Sequence, residues 1–190
     1  MEKTVKQNKG ALESLLIGLK LLLICAIVAG VVSFVYSLTE AQYEKNIQAT
    51  KNAAIGEIFG LDAPTCKEIA KGDATVYTVY DGETLIGYCV ESASAGFGGD
   101  VALMVGYGAD RALLGVSVIT HSETPGLGAK VAESAFLDQF KGQSGALVLG
   151  DGVDAVSGAT ISSRAVTNAV NLATEALETA LSEQNGGEGQ

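Results

Sequence analysis

Apolar and polar positions follow three different rhythms along this chain. From Leu15 to Leu38 there is almost no alternation: LLIGLKLLLICAIVAGVVSFVYSL runs for 24 residues with a single charge, Lys20. A helix rising about 1.5 Å per residue would make that stretch roughly 36 Å long, enough to cross a bilayer with some tilt. Lys20 lies one turn inside the run, where its side chain reaches the headgroups, and Tyr36 marks the far boundary. Lys3, Lys6 and Lys9 also suit the basic start of a cleaved signal peptide. The apolar run exceeds the usual length of such a signal, however, and no A-x-A site follows before Thr39-Glu40. A retained membrane helix is the expectation.

The second rhythm is helical. Residues 40–60 place Tyr43, Ile47, Ala54, Ile55 and Ile58 near one face, with Gly60 as a stop, and predict a stalk that continues the membrane helix. Residues 61–74, with Pro64, read as a loop. The period then falls to two. Thr75–Tyr80 and Thr84–Ala93 flank Asp81-Gly82, a hairpin signal, and Val101–Tyr107 and Ala112–Thr120 form a second pair. Helical spacing returns over 129–141 through Val131, Ala135, Phe136 and Phe140. A short strand is predicted at 146–149, and a long amphipathic helix over 161–183. Residues 184–190 (QNGGEGQ) read as a flexible tail. Strands and helices segregated in this way predict an α+β fold, an antiparallel sheet with flanking helices behind one N-terminal transmembrane helix.

Charge sharpens the division. The whole chain of 190 residues carries a formal charge of −10 yet has a mean hydropathy of +0.29. Up to Leu38 there are four lysines against two glutamates, a net of +2. Beyond Thr39, eight basic residues face twenty acidic ones, a net of −12. Positive charge stays on the cytoplasmic side, so a tail of residues 1–14 is expected inside and everything after the 15–38 helix outside. The acidic balance argues against nucleic acid as a partner. Cys25, Cys66 and Cys89 make no disulfide framework; Cys66 and Cys89 form either one bridge or two buried thiols.

Ordinary catalytic chemistry has few candidates. His121 is the only histidine, no serine sits in G-x-S-x-G, and no set of His and Cys is large enough for a metal centre. The stretch DAVSGATISS, Asp154–Ser163, stands apart because it sets a carboxylate, hydroxyls and small residues at the start of the 161–183 helix. Ser157 or Thr160 suits an N-cap there, and the same free N–H groups suit a phosphate.

Here the chain resembles the FMN-binding domain family. DAVSGATISS is similar to that family's flavinylation motif, an Asp followed by S/T-G-A-T. Gly96-Phe97-Gly98-Gly99-Asp100 looks like its G-[YF]-x-G-x segment, and His121–Gly128 (HSETPGLG) like its E-T-P-G-L-G loop. Within the family the chain is similar to the G subunit of the Rnf ferredoxin:NAD oxidoreductase, which couples electron transfer to ion pumping. It is also similar to the C subunit of the Na+-translocating NADH:quinone reductase.

The resemblance implies one FMN attached through its phosphate to Thr160 by a separate flavin transferase, with Asp154, Ser157, Gly158, Ala159 and Ser162 around it. It further implies flavin contacts from Glu123, Thr124, Pro125, Gly126, Leu127 and Gly128 and from Gly96, Phe97, Gly98 and Gly99. The glycines would let backbone approach the ring, Leu127 would cover it, and Lys130 or Glu123 would tune its charge. Taken without the resemblance, Pro125-Gly126 is a type II turn and Gly96–Gly99 a loop or bulge. The implied protein is an electron-relay component of a redox complex, docked on other membrane subunits and on lipid, with an FMN-binding domain over 75–183 after a stalk and loop over 39–74. It would have no catalytic residue of its own. The alternative from a different class is a cofactor-free anchored binding or sensor domain in which SGAT is only a cap.

Overall fold

The computed structural model describes residues 2–62 and 64–187. They divide into two compact units, residues 1–47 and 48–190. From Glu2 on, the first unit is helical, part of the run α1 (Glu2–Phe59). Between Leu15 and Leu38 its large apolar side chains are exposed on every face, Leu22 and Phe34 among them. An apolar surface all round is what a helix surrounded by lipid needs, and this is one helix long and apolar enough to cross a membrane. The hydroxyls near its end turn back onto the helix: Ser37 donates to the Phe34 carbonyl at 2.9 Å and Thr39 to that of Val35 at 2.6 Å.

In the second unit α1 ends in a Schellman cap. Gly60 adopts φ +69° and the Leu61 N–H reaches back to the Gly56 carbonyl at 2.9 Å. Five antiparallel strands follow: β1 (Thr65–Lys71), β2 (Thr75–Asp81), β3 (Thr84–Ala95), β4 (Asp100–Gly108) and β5 (Leu113–Thr120). Each pairs with the next, so the sheet is a plain meander. One face receives the end of α1, where Ala54 and Ile55 are buried with Val79, Cys89, Met104 and Ile119. Lys51 there meets Glu91 of β3 at 2.7 Å. The other face receives α3 (Thr160–Gly187), whose Val166, Val170 and Leu177 pack with Val90, Leu103 and Val105. Two polar ties fix the position of α3. Ser92 donates to the Ala169 carbonyl at 2.8 Å, and the hydroxyls of Tyr107 and Thr174 lie 2.9 Å apart. This is the α+β fold expected, with helices on both faces of an antiparallel sheet.

Several local expectations change. The loop expected over 61–74 contains β1, an edge strand paired with β2 and bulged between Glu68 and Ala70. Lys67, Glu68 and Lys71 hid it, because charge is what an open edge tolerates and a central strand does not. The single helix expected over 129–141 is broken into a 3-10 turn at Gly128–Ala132, a short helix α2 (Ser134–Leu137) and a second 3-10 turn at Asp138–Phe140. Glu133, with extended backbone at ψ 145°, makes the break. Burial of Val131, Phe136 and Phe140 supplied the helix-like spacing without a continuous helix. The strand predicted at 146–149 shrinks to β6 (Val148–Leu149), paired in parallel with β7 (Gly152–Val153).

At the C-terminus α3 runs on to Gly187, so the residues 184–187 assigned to a tail continue the helix; residues 188–190 lie outside the described residues. Cys66 on β1 and Cys89 on β3 are both free and are separated by β2. Two strand spacings put their Cα atoms roughly 9–10 Å apart or more, beyond the reach of a disulfide. Of the two possibilities, free thiols hold, with Cys89 buried and Cys66 half-buried. Burial pushes the Cys89 thiol well above its ordinary pKa.

The docking of α1 on the sheet depends on an absent side chain at Gly106, where a Cβ would fall on Cγ2 of Ile58. Gly106→Ala is expected to lower the stability of the full-length protein by about 1–3 kcal/mol. At Gly18, inside the helix, an added methyl meets nothing within 4 Å, and Gly18→Ala should not lower that stability. Thermal unfolding in detergent, followed by circular dichroism, compares the two.

Candidate functional site

Glu123 lies three residues beyond the end of β5, in a position that leaves it only 4% exposed. Its backbone N–H donates to Nδ1 of His121 at 3.2 Å. Oε1 accepts the N–H of Phe97 at 2.8 Å and of Gly98 at 3.2 Å; Oε2 accepts the Ser162 hydroxyl at 2.5 Å. One carboxylate thus joins the β3–β4 loop, the segment after β5 and the first turn of α3. Burial alone would raise its pKa, but the hydrogen bonds from Ser162, Gly98 and Phe97 and the nearby His121 outweigh it. The carboxyl is held below its usual range and is ionised at neutral pH.

The glycines around this group have a reason that the sequence does not reveal. A Cβ at Gly96 would land on Glu123 Oε1, and one at Gly128 would lie 2.7 Å from Oε2 and 3.1 Å from Ser162 Oγ. At Gly98 it would meet the Ser122 carbonyl oxygen. These residues make room for the carboxylate and its loop. Gly126 serves a turn: Thr124 to Leu127 is closed by a 3.2 Å hydrogen bond, and Gly126 has φ +74°. Pro125 then occupies the position a type II turn favours.

At the start of α3, neither Ser157 nor Thr160 makes the N-cap bond considered from the sequence. Ser163 acts instead from inside the helix, accepting the Val156 N–H at 3.0 Å and donating to the Ala159 carbonyl at 3.0 Å. Thr160, the first residue of α3, is exposed, and its hydroxyl has no partner among the described residues. Leu127 touches this turn, since a Cβ on Gly158 would lie 3.0 Å from its Cδ1.

A cleft of about 280 Å³ opens where these segments meet. Phe97 comes from the first motif, Glu123, Thr124, Leu127 and Gly128 from the second, and residues 158–162 from the third. Its rim is apolar: Phe97 is 70%, Ile161 54% and Leu127 45% exposed. Ile161 escaped the sequence reading, which offered only its place beside Thr160 as a signal. Of the other residues singled out, Gly96, Gly98 and Gly99 support the Glu123 loop, and Pro125 and Gly126 form the adjoining turn. Ser157 is exposed outside the cleft lining. Asp154 lies in a separate hollow of about 220 Å³ together with Lys130, and its N–H donates to Gln139 Oε1 at 2.8 Å. Lys130 therefore lines a different surface from Thr160. Among the described residues no group of three or more His, Cys, Asp or Glu is arranged to hold a metal.

Comparison with known proteins places these features in a family. Residues 96–175 match the model of the FMN-binding domain. The chain is 31% identical over 163 residues to the G subunit of a proton-translocating ferredoxin:NAD(+) oxidoreductase complex from Clostridium ljungdahlii, covering 82% of this chain and 86% of that protein. It is 29% identical to the G subunit of a Na(+)-translocating ferredoxin:NAD(+) oxidoreductase complex from Acetobacterium woodii, covering 85% and 90%. In fold it is similar to the C subunit of the Na(+)-translocating NADH-quinone reductase of Parabacteroides distasonis, with a TM-score of 0.54 and 19% identity over 69% of this chain and 91% of that one.

Because the folded pKa of Glu123 is depressed, its contribution to stability is present above the ordinary carboxyl value of about 4.3 and is lost as pH falls through the lower folded value. The wild type is expected to be more stable than Glu123→Gln at pH 7, with the gap closing below about pH 4. Chemical denaturation of both proteins across that range measures it; a gap that stays constant with pH would contradict the assignment.

Proposed function

Because the chain belongs to the G-subunit family of ion-translocating oxidoreductase complexes, we propose that it is a membrane-anchored electron relay carrying one FMN as a phosphoester on Thr160. The observation that carries this reading is the Thr160 hydroxyl, exposed and unpartnered among the described residues on the lip of a cleft where three motifs converge. A separate flavin transferase esterifies this hydroxyl, so the chain is the substrate of that step.

The residues present suit such a group. The first N–H groups of a 28-residue helix have no acceptor within the helix and carry its partial positive charge, which favours a phosphodiester at Thr160. Arg164, exposed one turn further along α3, adds a cation on the same face. Phe97, Leu127 and Ile161 give a flat ring system apolar surface on which to lie and exclude water from it. The chain thereby binds and orients, while FMN supplies the one- and two-electron chemistry when attached. Covalent attachment also keeps the cofactor from being lost outside the cytoplasm. In this reading the 15–38 helix anchors the protein, residues 1–14 stay in the cytoplasm, and the FMN-binding domain over 75–183 works on the other side. Its partners are the other membrane subunits of the complex, from and to which it passes electrons.

Flavin fluorescence on a denaturing gel tests the linkage. Full-length protein produced together with a flavin transferase is expected to fluoresce under ultraviolet light after denaturation. Thr160→Ala should be dark at the same protein loading. A dark wild-type band would overturn the proposal.

A further inference from the structure

We propose that Glu123 is the positioning residue for flavin attachment: its carboxylate ties the first turn of α3 to the 96–99 loop and so sets where the Thr160 hydroxyl stands. This rests on the reading of Thr160 as the attachment site. Ser162 follows Thr160 by two residues, which at about 100° per residue puts the two side chains on opposite sides of the helix. Ser162 accordingly faces inward at 2% exposure while Thr160 faces out. The inward hydroxyl has one acceptor among the described residues, Oε2 of Glu123, 39 positions earlier in the chain. The other oxygen holds Phe97 and Gly98, the residues that bring the exposed ring of Phe97 to the cleft. Both walls of the cleft are therefore registered against one side chain.

The groups facing that carboxylate are two backbone N–H groups from the loop, a hydroxyl from α3 and, on its own segment, His121. No lysine or arginine is paired with it among the described residues. A glutamine can reproduce this pattern, with its oxygen accepting from Phe97 and Gly98 and its amide donating to a reoriented Ser162 hydroxyl. An alanine cannot. Geometry and charge are therefore separable by substitution.

The experiment compares wild type, Glu123→Gln, Glu123→Ala and Ser162→Ala as full-length proteins in detergent. Attachment is read as the rate at which a flavin transferase with FAD makes each protein fluoresce on a denaturing gel. Amide hydrogen exchange at Phe97 and Gly98, measured before any flavin is attached, reads the tie itself. Glu123→Gln should attach flavin within about twofold of wild type. Glu123→Ala should be slower by about tenfold or more, with both amides exchanging faster by a similar factor, as for the loss of hydrogen bonds to a charged group. Ser162→Ala cuts only the tie to α3, so attachment should slow while the two amides stay protected; this variant also serves if Glu123→Ala does not fold. Wild-type attachment rates in Ser162→Ala and in any folded Glu123→Ala would overturn the proposal. So would a Glu123→Gln protein that attaches as slowly as an alanine variant while both amides stay protected, because the effect would then be one of charge. A wild type that takes no flavin at all would fail the Thr160 reading itself, whereas the amides still report the tie.

Discussion

A single buried carboxylate, that of Glu123, joins its own segment to two others whose bonded residues lie 25 to 39 positions away from it along the chain. Taking an ionised group out of water costs several kcal/mol, and the cost is tolerable only if its lone pairs are filled. Here two backbone N–H groups and a hydroxyl fill them, and hydrogen bonds to a charged group are each worth about 1.5–3 kcal/mol. The arrangement is all or nothing. Removing the carboxylate leaves a buried hydroxyl and two part-buried amides without their acceptor, and adding one methyl at Gly96 displaces the oxygen itself. Glycine at 96 and 128 follows from that constraint, and glycine at 98 from the backbone of Ser122 beside it.

The meander explains why the three stretches can meet. In an antiparallel sheet with consecutive neighbours, the end of β3, the start of β4 and the end of β5 fall at the same edge. Ala95 pairs with Asp100, and Ala102 with Thr120. The 96–99 loop and the segment beginning at His121 are therefore neighbours by topology alone. The third partner needs α3 to begin at that same end. The core achieves this, since α3 lies across β3 and β4 with its first turn at the Glu123 end and Ala169 and Thr174 tied to the strands. Packing along one helix thus sets the position of a hydroxyl at its tip.

Polarity divides the molecule along its length. The exposed apolar surface between Leu15 and Leu38 has no use in water, and the charge beyond Thr39 has none in lipid. At the cleft the contrast recurs at smaller scale, where the apolar rim of Phe97, Leu127 and Ile161 interrupts an otherwise acidic domain. Such a rim suits a flat aromatic ligand.

Much of this was legible in the sequence because it is local. An unbroken apolar run determines one long apolar helix, alternation around Asp81-Gly82 and around Ala109-Asp110-Arg111 determines two hairpins, and a 3.6-residue period determines α3. The motifs at 96–100, 121–128 and 154–163 named the segments of the site in order. What remained closed depends on partners. β1 is a strand only because β2 offers an edge, and Glu133 breaks a helix only because Val131, Phe136 and Phe140 must reach one core. Asp154 belongs to the 154–163 motif, yet its backbone is bonded to Gln139 and it lines a separate hollow, while Glu123 both lines the cleft and ties its walls together. Periodicity records which way a side chain points along its own element. Which distant amide or hydroxyl meets it there is decided by packing, and packing is a property of the folded chain.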